Sequence, residues 1–114
     1  MPTLIIKTNA DLSSVDRPAL LRSASETLAS MLGKPERYVM VIVEPTPDMC
    51  FGADNAPSAY LELKSLGLPE NRTTDFSATL CSLLHERLGV PPGRVYIEFA
   101  SPARHLFGFD GKTF

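Results

Sequence analysis

The sequence predicts an α+β fold, one domain over residues 1–114, in which two βαβ units form a four-stranded sheet with both helices on one face. Three observations predict it: a segment that recurs at a fixed offset, helical apolar spacing ahead of each copy, and strand-forming runs on either side of each helix. Leu32-Gly33-Lys34-Pro35-Glu36-Arg37-Tyr38-Val39 returns 56 residues later as Leu88-Gly89-Val90-Pro91-Pro92-Gly93-Arg94-Val95. The leucine, glycine, first proline and valine coincide without a gap. In each copy the leucine ends an apolar stripe, the glycine permits a left-handed cap, and the proline prevents the helix from continuing. A β-branched residue then opens a strand.

Each element has its own signal. The first strand is Thr3 to Thr8. Asp16, just before Pro18, starts a helix whose apolar stripe is Leu21, Ala24, Leu28 and Leu32. The second strand is Tyr38 to Glu44 and the third Ala59 to Leu66. Glu70-Asn71 after Pro69 starts the second helix, with Phe76, Leu80, Leu84 and Leu88 at spacings of four. Arg94 to Phe99 is the fourth strand. The halves are thus pseudo-repeats of about residues 2–57 and 58–114.

Val39, Val41 and Val43 alternate with Met40 and Ile42, so that strand is apolar on both faces. Helices cover only one face of such a sheet, and another subunit is the expected cover for the other. Five of the nine aromatic residues fall in the last nineteen positions: Tyr96, Phe99, Phe107, Phe109 and Phe114. That density predicts a C-terminus packed on a neighbour or lining a pocket.

The composition narrows the function. Hydrophobic content of 44% with 21% charged residues is that of a folded globule, not a disordered chain. A formal charge of −2 gives no reason to bind nucleic acid or an anionic membrane. The longest apolar run, Tyr38 to Val43, is too short to span a bilayer. No basic segment leads into an apolar stretch at the N-terminus, so no signal peptide is expected and the default address is the cytosol. Cys50 and Cys81 lack metal-ligand spacing and read as reduced, buried thiols. His85 and His105 are isolated, His85 on a solvated helix face, and no metal site is expected.

Positions where the halves differ are better candidates for chemistry, because the shared fold does not demand them. Lys34 faces Val90 in the repeat, although a lysine near a helix C-terminus is also simply favourable. Pro2 faces Ser58, although proline can also merely begin an edge strand. Methionine before proline is normally removed after synthesis, which would expose a secondary amine at Pro2. A terminal amine has a pKa of about 7.7–8.0, and burial or a nearby cation lowers it. An amine so tuned is a general base at neutral pH.

Met1-Pro2 with a short apolar strand and Thr8-Asn9, then Gly33-Lys34-Pro35 with Tyr38, form an ordered set. It continues through Phe51-Gly52, Ser65-Leu66-Gly67, Asn71-Arg72, Leu80-Cys81 with Leu83-Leu84, and Glu86-Arg87-Leu88. Arg94-Val95-Tyr96-Ile97, Gly108 and Thr113-Phe114 complete it across essentially the whole chain. The set resembles the macrophage migration inhibitory factor family of the tautomerase superfamily. The resemblance implies a homotrimer whose sheets wrap a central barrel, with active sites at subunit boundaries. It also implies keto–enol tautomerisation of small aromatic keto acids of the phenylpyruvate type, or of dopachrome derivatives, without a cofactor. Pro2 is then the catalytic base, Lys34 binds the substrate carboxylate, and Leu66 lines the pocket. Tyr96 joins from the neighbouring subunit, with Glu98 at a second pocket position, Phe107 and Phe109 as apolar and aromatic wall residues, and Phe114 closing it.

The chain departs from the family at three places. Ser58-Ala59-Tyr60-Leu61 stands where the family cytokine has a CxxC pair, so thiol-redox activity of that motif is not expected. Glu98 replaces an asparagine, and Thr3 a bulkier apolar residue beside the base. Two other readings remain open from the sequence. One is a receptor-binding, cytokine-like protein, released without a signal peptide, whose pocket is inherited but dispensable. The other is a superfamily hydratase or decarboxylase in which Glu98 orients water.

Overall fold

Two strand–helix–strand passes build the structure, a computed structural model that describes residues 1–114. The first is β1 (Thr3–Thr8), α1 (Arg17–Leu32) and β2 (Met40–Pro45), and the second β3 (Ala59–Lys64), α2 (Thr73–Leu88) and β4 (Val95–Ala100). A two-stranded hairpin, β5 (Gly108–Phe109) and β6 (Lys112–Thr113), closes the chain. From β1 to the 3-10 turn after each helix, second-half elements begin 56 residues after their counterparts: Thr3 to Ala59, Arg17 to Thr73, Glu36 to Pro92. Both helices end on a glycine in the left-handed region, Gly33 at φ 64° and Gly89 at φ 69°. A side chain there would meet no neighbour but would be strained by the backbone angle alone.

The sheet runs β2-β1-β3-β4, with β1 parallel to β2, antiparallel to β3, and β3 parallel to β4. β2 and β4 are edge strands. Leu4 and Ile6 of β1 and Leu61 and Leu63 of β3 are fully buried beneath the helices. Ala24 and Leu28 of α1 and Phe76, Leu80 and Leu84 of α2 meet them, and Leu20 of α1 is buried as well. Val39, Val41, Val43, Val95, Ile97 and Phe99 extend this core to the edges.

Several boundaries differ from the sequence expectation. The first helical stripe runs through Leu20 rather than Leu21, which is 37% exposed. Leu20 stands at the repeat position of Phe76, so a strict spacing of four serves both helices. β2 starts at Met40 because Glu36–Tyr38 form a 3-10 turn, and β3 stops at Lys64. Glu70–Arg72 are likewise a 3-10 turn, and α2 begins at Thr73. Cys50 is exposed and Cys81 only half-buried, so neither is the buried thiol expected. Asp16 does cap α1, its Oδ1 accepting the Ala19 N–H at 3.0 Å.

The face of the sheet away from the helices carries three cross-strand rows. Met40, Thr3, Lys64 and Ala100 form one; Ile42, Ile5, Glu62 and Glu98 the next; Glu44, Lys7, Tyr60 and Tyr96 the third. It is apolar toward β2, where Met40 is 58% exposed. Toward β3 and β4 it is charged, with the pair Lys64–Glu62 at 3.8 Å. Two side chains pin the long loop that precedes β3. Asn9 Nδ2 donates to the carbonyls of Met49, Asn55 and Ala56 at 3.1–3.2 Å, and its Oδ1 accepts the Ser58 N–H at 2.7 Å. Arg94 donates to the carbonyls of Pro57, Asp54 and Ala56 at 2.9–3.1 Å. No helix is long and apolar enough to cross a membrane.

Candidate functional site

Pro2 sits immediately before β1, fully buried, with its carbonyl accepting the Met40 N–H at 3.0 Å. The N-terminus is thereby fixed at one end of the two central strands. A cleft of about 510 Å³ opens there, lined by Met1, Lys34, Tyr38, Leu66, Gly67, Arg104 and Phe114. That volume lies within the range of small-molecule sites.

Each wall residue is delivered by a turn. Gly33 reverses the chain at the end of α1 and sets Lys34 at the cleft. Gly67, at φ 64°, turns the chain after β3 beside Leu66, and the Ser65 N–H donates to the Ala100 carbonyl at 3.1 Å. Arg104 opens a short 3-10 turn, Arg104–Leu106, after β4. Phe114 is held by its N–H donating to the Phe107 carbonyl at 3.2 Å. The β5–β6 hairpin turns on Asp110 and Gly111, both at positive φ (52° and 75°), the geometry of a tight hairpin. Phe109 stacks on Phe114 with centroids 5.6 Å apart and meets Tyr38 edge-on at 5.9 Å. Phe107 backs Phe114 at 6.1 Å. Phe107 and Phe109 thus stand behind the lining rather than in it, as the support of Phe114 and Tyr38.

The cleft is electropositive. No side-chain carboxylate lines it, whereas two cations do. The chain's three ion pairs, Lys7–Glu44, Lys64–Glu62 and Arg72–Asp75, leave Lys34 and Arg104 unpaired. The terminal amine at Met1 is pushed below its ordinary value by burial first, then by the charges of Lys34 and Arg104.

Tyr96 and Glu98 are elsewhere. Tyr96 is 66% exposed and in register with Lys7, toward the far end of β1 from Pro2. It lies 4.8 Å from Phe51 at the rim of a second hollow of about 240 Å³ that also includes Cys50 and Tyr60. Glu98 points from the open face of the sheet and accepts the Tyr60 hydroxyl at 3.4 Å. Burial, then the Glu98 and Glu62 carboxylates, raise that phenol above its ordinary value. A single chain therefore gathers Lys34, Leu66 and Phe114 around the N-terminus and leaves Tyr96 and Glu98 outside.

Arg104 and Tyr38 are cleft residues that the sequence reading did not single out. The signal for Arg104 was a basic pair, Arg104-His105, within an otherwise aromatic and small-residue tail.

The whole chain, residues 1–114, matches the family model described as macrophage migration inhibitory factor. It is 38% identical to macrophage migration inhibitory factor of Meriones unguiculatus, covering 100% of this chain and 99% of that protein. It is 37% identical to the homologue of Brugia malayi over the same shares. Among solved structures, it is similar to the homologue from Prochlorococcus marinus, with a TM-score of 0.92, 35% identity and 98% of each chain covered. The Trichinella spiralis protein matches at a TM-score of 0.92 and 32% identity, over 98% of this chain and 99% of that one.

Proposed function

Because the chain belongs to the macrophage migration inhibitory factor family, within the tautomerase superfamily, we propose that it is a keto–enol tautomerase whose base is the Pro2 amine once Met1 is removed. The observation that carries the reading is the setting of the N-terminus: a fully buried proline directly behind Met1, which lines a cleft with two unpaired cations, Tyr38 and Phe114, and no side-chain carboxylate. The substrate is an α-keto acid with an aromatic side chain. Lys34 holds its carboxylate, Pro2 nitrogen takes the proton α to the carbonyl, and the carbonyl oxygen gains a proton as the enol forms. The cations also oppose the negative charge that develops on that oxygen, the effect that dominates catalysis of this kind. Tyr38 and Phe114, backed by Phe107 and Phe109, receive the ring. The test is a phenylpyruvate tautomerase assay on protein shown by mass to begin at Pro2. No turnover above the buffer rate would end the proposal.

The reading includes a homotrimer in which Tyr96 and Glu98 of one subunit complete the cleft of the next. Two open sheet edges, Met40 exposed on the uncovered face and Tyr96 exposed at its rim support association. Light scattering at micromolar concentration is expected to give three times the 12.4 kDa chain mass. A monomer with full activity would show that no neighbour contributes.

Glu98 is expected to slow this reaction. In the shared site its carboxylate would repel an anionic substrate and compete for Lys34. Unit charges about 4 Å apart interact by roughly 4 kcal/mol at an effective dielectric near 20 and about 1 in water. Glu98→Asn is therefore expected to raise kcat/KM several-fold, or about 1 kcal/mol, and more for keto acids than for their methyl esters. A loss on both substrates would instead make Glu98 a working acid or a water-orienting group.

A further inference from the structure

Lys34 and Arg104 reach one cleft from different elements, the end of α1 and the 3-10 turn after β4. Neither is engaged within the chain. The three ion pairs lie elsewhere, and the guanidinium hydrogen bonds come from Arg37 and Arg94. Two cations face one cleft with no side-chain carboxylate of the same subunit on its walls, in a chain whose formal charge is −2. One α-keto carboxylate answers only one of them, and the neighbouring subunit's Glu98, which the proposed trimer sets against Lys34, leaves Arg104 still unanswered. Lysine, a compact point charge, suffices for that group. The arginine fork matches a second planar anion bidentately, and such pairs are about twice as strong as neutral hydrogen bonds.

We propose that Arg104 is a specificity-determining residue and that the cleft selects keto acids carrying a second anionic group, with the α-carboxylate on Lys34 and the second anion on Arg104. The volume of about 510 Å³ accommodates an arylpyruvate bearing a carboxylate on its ring. The inference rests on the tautomerase reading for its reaction but not for its binding, and the two are separable by experiment.

Phenylpyruvate and its para-carboxy derivative are compared as substrates, and benzoate and terephthalate as non-reacting ligands by calorimetry. The native protein is expected to favour the dianion about tenfold in kcat/KM, and terephthalate over benzoate by a similar factor. Both ratios are expected to fall toward one in Arg104→Gln, to recover partly in Arg104→Lys, and to shrink as salt is added. Ratios that Arg104→Gln does not change overturn the proposal, because Arg104 then either shares the α-carboxylate or stays in water. A protein that turns over neither keto acid, yet binds terephthalate in an Arg104-dependent way, keeps the dianion site and removes only the proton transfer.

Discussion

Protein that retains Met1 is expected to turn over phenylpyruvate at least a hundredfold more slowly than protein beginning at Pro2. Met1 lines the cleft and, while present, makes the Pro2 nitrogen an amide with no basicity. Removal of Met1 clears the mouth of the cleft and creates a secondary amine at a position that is fully buried. General bases of this kind contribute roughly 10²–10⁴-fold. The sign of the pH dependence follows from the surroundings. Burial and two cations disfavour the protonated amine, and at Met1 they already lower it from its ordinary 8.0. Pro2, the next residue, is fully buried, and the same influences are expected to act on its amine once Met1 is gone. The activity is therefore expected to rise with pH through an apparent pKa below that of a free N-terminal proline amine and to level off above it. Pro2→Gly keeps an amine but frees it from the ring that fixes its direction, and uncovers it to water. Its kcat is expected to fall by one to two orders of magnitude, a smaller loss than Met1 retention causes. Intact mass measured beside each pH–rate profile decides the matter. Full activity in a preparation that keeps Met1 would falsify the role of Pro2.

Most of the fold was legible because it repeats. Gly33 and Gly89, followed by Pro35 and Pro91, end two helices by the same backbone chemistry, and the offset between them carries through to the strands and helix lengths. Where the reading slipped, competing local signals were at fault. Leu20 and Leu21 are adjacent leucines, and periodicity from Ala24 tolerates either; the fold buries Leu20 and leaves Leu21 exposed. Glu70-Asn71 after Pro69 looked like a helix start, but the chain makes one tighter turn before Thr73. The C-terminal hairpin was missed although Asp110-Gly111 is a strong hairpin pair, because each strand is only two residues long.

The site was legible in part, for a physical reason. Lys34 and Pro2 stood out as breaks in the repeat, and a single chain sets Lys34 in the cleft that Met1 lines, with Pro2 buried behind it. Arg104 lies in the tail, which has no counterpart in the first half, so no comparison between halves could mark it. Asn9 and Arg94, both within the recurrent family pattern, prove to hold a loop rather than to face the cleft. Tyr96 and Glu98 lie on β4 outside the cleft, where no reasoning within one chain assigns them a substrate.

Phe76→Ala is expected to cost about 3–5 kcal/mol of stability. Phe76 is fully buried on α2, among Leu80 and Leu84 of the same helix and beneath the central strands. Truncation removes its transfer free energy and leaves a cavity that the close-packed core around it fills only in part. The side chain also lies under the Arg72 guanidinium, 5.2 Å from the ring centroid, a contact worth about 0.5–1 kcal/mol at the surface. Against a total of about 5–15 kcal/mol for a domain, the loss is a large fraction. Thermal unfolding at fixed protein concentration is expected to shift down on the order of 15 °C. Concentration matters because association of folded chains adds to apparent stability. Phe76→Leu, which keeps most of the volume, is expected to cost less than about 1.5 kcal/mol. Phe76 is remote from the cleft at Met1, so kcat/KM measured well below the transition should match that of the native protein in both variants. A drop in kcat/KM parallel to the drop in stability would mean that α2 transmits its packing to β1 and to the placement of Pro2. The core would then set the catalytic geometry as well as the fold.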